Sequence, residues 1–207
     1  DVDVMHLSHR VPAFNILAGS LILETHYSYF PSGTIFVCVV DPGVGTLRHP
    51  VALKTKDYYF IGPNNGLFGT IAEQNHVEQV VRLDNPTYHL ARMSSTFHGR
   101  DIFAPCGAHI ANGTPVQNLG TPLSAKDIVS LEIPLAGTRG EDGSFIIGGA
   151  ILYIDRFGSL ITSIDKKTFE TVVGNAPFTI HVGDHRITAI SNTFGDGKRG
   201  ELLALFG

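Results

Sequence analysis

Val39-Val40-Asp41-Pro42-Gly43-Val44-Gly45-Thr46-Leu47-Arg48 closes a run, Thr34-Ile35-Phe36-Val37-Cys38-Val39-Val40, that is β-branched and almost wholly apolar. Such a run reads as a strand buried on both faces of a parallel sheet. Pro42 biases Asp41 toward extended backbone, and Gly43 and Gly45 permit a tight turn that exposes N–H groups. A carboxylate therefore stands where a buried strand ends, which in open α/β sheets is where ligands bind, and Arg48 can fold back over the same crevice. Asp, Pro and Gly are also ordinary turn residues, so the loop taken alone equally describes a structural Asp and a solvated Arg.

Working outward, residues 2–7 read as a strand and residues 15–29 carry an approximate helical stripe that ends at Phe30-Pro31-Ser32-Gly33. With the run at 34–40 these make a right-handed βαβ unit. Residues 51–54 and 58–61 read as short strands around a Lys56-Asp57 turn. Gly62-Pro63-Asn64-Asn65-Gly66 then leads into a helix from Leu67, a composition that can turn the Asn65 amide toward a ligand. Residues 77–83 form another strand, and Thr96-Phe97-His98-Gly99-Arg100-Asp101 opens a helix of small and apolar residues over 102–111. A histidine there is by default a satisfied core or capping residue; a catalytic one needs a charged partner, which the loop at 41–48 offers. His6 and His9 are three apart, a metal spacing on a helix that Pro12 and the strand-like context weaken, and no metal is expected.

Beyond Asn112-Gly113 the pattern changes. Residues 131–144 carry Pro134 and glycines at 137, 140 and 143, the composition of a linker, and residues 145–207 hold short strands at 145–154, 160–164, 178–182, 186–190 and 201–206 with no helical stripe. The fold class expected is α/β: an N-terminal α/β domain over 1–130 with a mainly parallel sheet, and a smaller all-β barrel at 145–207.

Composition narrows the function classes. The net charge is −4 with lysines and arginines scattered, which argues against nucleic acid or an anionic membrane as the main partner. No apolar run reaches the ~20 residues of a membrane span. Cys38 and Cys106 lack CxxC spacing and read as two free core thiols of a cytoplasmic protein.

Taken together and in order, residues 40–48, Gly62-Pro63-Asn64-Asn65-Gly66-Leu67, residues 96–105 and Ile154-Asp155-Arg156-Phe157-Gly158-Ser159-Leu160-Ile161-Thr162 resemble the S-adenosylmethionine (SAM) hydroxide adenosyltransferases, adenosine-forming SAM hydrolases related to fluorinase and chlorinase. The resemblance implies a homotrimer whose SAM sites lie between the N-terminal domain of one subunit and the barrel of its neighbour. It places Asp41, Arg48 and His98 at the family's triad positions, Phe97 and Gly99 beside the reacting carbon, and Asp155, Phe157 and Phe194 where the barrel holds the nucleoside. Ser159 and Ser163 stand where asparagine, which hydrogen-bonds adenine, is usual. The family's first strand, with its Thr-Asp-Phe-Gly motif, would precede Asp1, and a glycine-containing hairpin would follow Gly207, so the chain is expected to be shortened at both ends.

The chemistry implied is hydrolysis of SAM, as substrate and with no cofactor, to adenosine and L-methionine. A sulfonium is already a competent leaving group, so what this reaction needs is an oriented water. Asp41 and His98 are the candidate proton acceptors and Arg48 the fixed cation, while Phe97 and Phe157 can face the sulfonium or ribose. Two alternatives stand beside it. A chlorinase-like SAM-dependent halogenase is opposed by the Asp41 charge and favoured by the room beside Gly99. The other is a SAM- or nucleoside-binding module without catalysis.

Overall fold

The computed structural model describes residues 2–133, 135–139 and 144–206. Its contacts divide the chain into two compact units, Asp1–Glu132 and Ile133–Gly207.

In the N-terminal unit, helix α1 (Ile16–His26) begins where the Asn15 side chain accepts the Ala18 N–H at 2.9 Å. Strands β1 (Ile35–Val37), β2 (Pro50–Thr55) and β3 (Tyr59–Pro63), helix α2 (Gly69–Gln74), strand β4 (Val77–Arg82), helix α3 (Ala104–Ala111) and strand β5 (Thr121–Leu123) follow. The strands form one sheet in the order β1-β3-β2-β4-β5. Side chains alternate across it. Val51, Leu53, Phe60 and Val80 bury one face with Leu23 of α1 and Ile71 of α2, and Ala52, Ile61 and Val81 bury the other with Cys106 and Ile110 of α3. This is a helix–sheet–helix sandwich, the packing that alternating apolar strands require.

The sheet is not mainly parallel, as the sequence suggested. Only β1 and β3 pair parallel, while β2–β3, β2–β4 and β4–β5 are antiparallel. The reason is connection length: the turn between β2 and β3 closes with Thr55 N–H donating to the Tyr58 carbonyl at 2.9 Å, far too short for a parallel crossover. Two further expectations fail here. Residues 2–7 form no strand, and β1 is a short edge strand of the described sheet, ending at Val37, which is 43% exposed, rather than one buried on both faces. Its last ladder-like bond runs from the Cys38 N–H to the Ile61 carbonyl at 2.9 Å, after which the chain turns into residues 41–48.

The C-terminal unit holds antiparallel pairs: β6 (Leu135–Arg139) with β7 (Phe145–Gly149), β8 (Ile151–Ile154) with β9 (Leu160–Thr162), and, after helix α4 (Lys166–Val173), β10 (Ile180–Val182) with β11 (His185–Ile187). The stretch expected as linker thus contains β6, while Pro134 and residues 140–143 lie outside the described residues, as do Asp1 and Gly207. Helix α4 contradicts the expectation of strands alone. Asp165 caps it by accepting the Thr168 N–H at 2.7 Å, and Phe169 packs edge-on against Phe178 and Phe206, with ring centroids 5.0 and 5.4 Å away. Residues 201–206 contribute only a bridge between Ala204 and Ile190. No closed barrel forms among the described residues.

Candidate active site

The loop at 41–48 folds on itself. Val44 N–H donates to the Asp41 carbonyl at 3.3 Å, and the Thr46 N–H and hydroxyl both donate to the Gly43 carbonyl, at 3.1 and 2.6 Å. The loop thereby reverses and returns Arg48 to Asp41. Arg48 Nε donates to Asp41 Oδ1 at 2.9 Å and Nη2 donates to Oδ2, a two-pronged pair whose side chains are only 8% and 5% exposed. Nη2 also meets His98 Nδ1 at 2.8 Å. Arg48 therefore joins Asp41 to His98, although fifty residues separate Arg48 from His98.

His98 enters the cluster from the start of a π-turn, Gly99–Phe103, that runs directly into α3. Wide turns of this kind are uncommon and re-aim the side chains around them. Phe103 from the same turn is fully buried, with the Arg48 guanidinium carbon 5.5 Å from its ring centre. Burial first, and then the Arg48 charge, push the His98 pKa below its ordinary 6.5, against the opposite pull of Asp41 and Asp101. Arg48 Nη1 is buried without a hydrogen-bond partner among the described residues.

The two loops touch through backbone. Gly45 has φ +77°, and a Cβ there would stand 2.7 Å from the Ser95 carbonyl oxygen, so only glycine allows this approach. Phe97 is 59% exposed beside His98. Gly99 lies against Val39, whose two methyl carbons would be 3.3 Å from an added Cβ. The Asn65 side chain is tied to backbone: its Nδ2 donates to the Val40 carbonyl at 2.8 Å and its Oδ1 accepts the Leu67 N–H at 3.3 Å, bracing the strand end that carries Asp41.

The remaining sequence-derived candidates lie in the C-terminal unit. Asp155 Oδ1 accepts the N–H groups of Phe157 and Ser159, both at 2.8 Å, within the β8–β9 turn. Those bonds, Ser159 first, hold its carboxyl below the usual carboxylate range. The turn leaves Phe157 80% exposed, with the Arg156 guanidinium carbon 4.7 Å from its ring centre. Phe194 is 72% exposed and opens a 3-10 turn, Phe194–Asp196, that Asp196 caps by accepting the Asn192 and Thr193 N–H groups at 2.8 and 2.9 Å. The Ser163 hydroxyl accepts the Ala150 N–H at 2.9 Å.

From the sequence, Arg100 and Asp101 take no role beyond their place in the stretch that opens the helix. Asp101 is fully buried, pairs with Arg100 and accepts the Ser94 N–H at 2.7 Å. His6 and His9 contact each other, Nε2 to Nδ1 at 2.9 Å, and among the described residues no group of three or more His, Cys, Asp or Glu stands at metal-binding spacing. Cys38 and Cys106 are unbridged, and burial pushes both thiols up to about 12. No helix among the described residues is long and apolar enough to cross a membrane.

Comparisons with known proteins agree on one family. The profile of the SAM hydroxide adenosyltransferase N-terminal domain matches residues 1–120, and that of the C-terminal domain matches residues 149–207. The chain is 35% identical over 201 residues to the (R)-S-adenosyl-L-methionine hydrolase of Salinispora arenicola, spanning 97% of this chain and 73% of that one. It is 27% identical to the fluorinase of Actinopolyspora mzabensis over 83% of this chain and 64% of that one. The crystal structure of an uncharacterized conserved protein from Thermotoga maritima superimposes with a TM-score of 0.82 at 32% identity, covering 99% of this chain and 77% of that one. With both domain profiles matched in order, and with Arg48 joining Asp41 to His98 within the first of them, the chain belongs to the SAM hydroxide adenosyltransferase family.

Proposed function

We propose that this protein hydrolyses SAM to adenosine and L-methionine by in-line attack of water at C5′, with Asp41, Arg48 and His98 handling the water. The observation that carries this reading is the Arg48 guanidinium, in which Nε and Nη2 are committed to Asp41 and His98 while Nη1 is buried and unpaired. A buried donor left unpaired is costly, and a water or hydroxide oxygen held there would satisfy it. Relatives named (R)-S-adenosyl-L-methionine hydrolase at 33–35% identity support the same reaction.

The hydrogen-bond directions assign roles. Arginine can only donate, so His98 Nδ1 accepts, and neutral His98 carries its proton on Nε2. In that form His98 offers an N–H to the water oxygen, and the free lone pairs of the Asp41 carboxylate accept the water's proton. The water oxygen bonds to C5′ as the C5′–S bond breaks, and the bonding pair neutralises the sulfonium. Positioning supplies most of the acceleration, since the leaving group needs no acid. Phe97, adjacent to His98 in the chain and 59% exposed, offers an aromatic face to the substrate.

The halogenase alternative is less well supported. The Val39 methyls fill the space beside Gly99, and the Asp41 carboxylate repels a halide. A binding module without catalysis would have no need of an unpaired buried arginine donor. HPLC of SAM incubations with and without chloride separates the three: adenosine in both supports hydrolysis, while a chlorinated nucleoside or unchanged SAM rejects it.

The reading includes a cytoplasmic homotrimer in which Asp155, Phe157, Ser159 and Phe194 of one subunit complete the nucleoside site of its neighbour. It takes residues 145–207 as a small barrel built from the short antiparallel ladders. Exposure of Phe157 and Phe194 supports a partner surface for them. Mixing Asp41→Ala subunits with Asp155→Ala subunits should restore part of the activity that each lacks alone. Exchange proven by native mass with no return of activity rejects the shared site.

A further inference from the structure

We infer that Arg100 and Asp101 are positioning residues: a staple that holds the loop carrying Phe97 and His98 against the turn carrying Asp41 and Arg48. The inference rests on the reading of that cluster as the hydrolytic centre. Its basis is the number of separate strands of chain that meet on Asp101. The Asp101 carboxylate accepts Arg100 Nε at 2.6 Å, Arg100 Nη2 at 3.1 Å and the Ser94 N–H at 2.7 Å. Its backbone N–H donates to the Phe97 carbonyl at 3.0 Å, and its carbonyl accepts the Leu90 N–H at 2.9 Å. The segment from Leu90 to Phe97 is thus drawn onto the π-turn at three points.

That segment contains Ser95, the residue whose carbonyl Gly45 approaches so closely. Fixing Ser94 therefore fixes Ser95 against the 41–48 turn, and with it the 2.8 Å contact between Arg48 and His98. Arg100 acts on the other side. Held in a two-pronged pair by Asp101, its guanidinium carbon lies 5.1 Å from the Phe97 ring centre and steadies an aromatic that would otherwise be free in solvent. An ordinary surface ion pair does neither, and here the carboxylate is fully buried although the Arg100 side chain is 60% exposed.

The staple also leaves an electrostatic signature. Four groups face His98: Arg48, which lowers its proton affinity, His89, which repels it when charged, and Asp41 and Asp101, which raise it. Removing the Asp101 charge removes one of the two that favour the imidazolium, so His98 stays neutral to lower pH.

The test uses Asp101→Asn and Arg100→Lys in the full chain, with steady-state kinetics across pH and histidine titration by NMR, His98 being assigned from His98→Gln. Asp101→Asn should lower kcat about tenfold to a hundredfold and move both the acid limb and the His98 titration to lower pH. Arg100→Lys keeps the charge but loses the fork and the flat cation over Phe97. It should raise KM for SAM about tenfold and leave the His98 titration in place. Wild-type kcat, KM and titration in both variants would overturn the staple. Should Asp101→Asn not fold, wild-type kinetics in Arg100→Lys, whose side chain faces solvent, would do the same. If the wild type makes no adenosine while Asp101→Asn still shifts the His98 titration, the hydrolase reading fails and the staple stands.

Discussion

Asp41 and Asp101 in the N-terminal unit keep their side chains out of water and each holds an arginine, whereas Asp155 and Asp196 in the C-terminal unit accept backbone N–H groups in turns that leave Phe157 and Phe194 exposed. One residue type thus builds two kinds of surface. A buried carboxylate–guanidinium pair fixes charges to within a hydrogen bond, which suits the orientation of a nucleophile. A turn-capping carboxylate rigidifies a loop tip and presents an aromatic, which suits recognition of a flat nucleoside. The division predicts that variants of the buried Asp41, Arg48 and His98 cluster act on kcat and folding, and that variants of the exposed aromatics Phe157 and Phe194 act on KM.

The largest effect should come from the buried cluster. Asp41→Ala, Arg48→Ala and His98→Ala should each lower kcat by about a hundredfold or more. Arg48→Ala should in addition destabilise the fold by about 3 kcal/mol in denaturant titration, because it leaves Asp41 buried without its partner. Wild-type turnover in any of the three would break the assignment of chemistry to this unit. Next in size, Phe157→Ala and Phe194→Ala should raise KM for SAM about tenfold, with kcat kept and unfolding free energy changed by no more than about 0.5 kcal/mol. A loss confined to kcat in these variants would erase the contrast between the units.

The smallest effect is on pH. The folded His98 pKa lies below its unfolded value of 6.5, so below that pH the unfolded chain binds more protons. His98's contribution to stability is complete above 6.5 and is lost as pH falls toward the depressed value. Activity should fall on the acid side with it, since a protonated Nδ1 cannot accept from Arg48. His98→Gln should flatten that acid limb in both melting temperature and residual rate. An unchanged limb would place the titration elsewhere.

How much of this was legible in the sequence follows from how local each feature is. Strands β2, β3 and β4 were readable because they are short apolar runs bounded by polar turns, with Lys56-Asp57 turning the chain between the first pair. The mixed sheet was not, and a mainly parallel one was expected in its place, since which strand lies beside β1 is decided by tertiary pairing of Phe36 with Phe60, not by any local pattern. Helix α4 escaped because eight residues carry too short a stripe, although its signals, Asp165 before Thr168 and Gly174 after, were present. Asp41 and Arg48 share one loop, so their meeting was foreseeable. That His98 meets Arg48 was suggested by the charges of the 41–48 loop and made specific by the resemblance, while the role of Asp101 was not legible at all, because its partners Ser94, Phe97 and Leu90 become neighbours only once the π-turn forms. Asn65 reads as a ligand contact because amide-rich loops often are; its bonds to Val40 and Leu67, a bracing role, were not legible.

The central claim is that a water oriented by Arg48, His98 and Asp41 attacks C5′ of SAM. Turnover in water enriched in oxygen-18, followed by mass spectrometry of both products, tests it most directly. The account predicts that the adenosine formed carries the heavy oxygen at its 5′-hydroxyl and the methionine carries none. Heavy oxygen in the methionine-derived product, or a nucleoside that takes up chloride in place of oxygen, would contradict it.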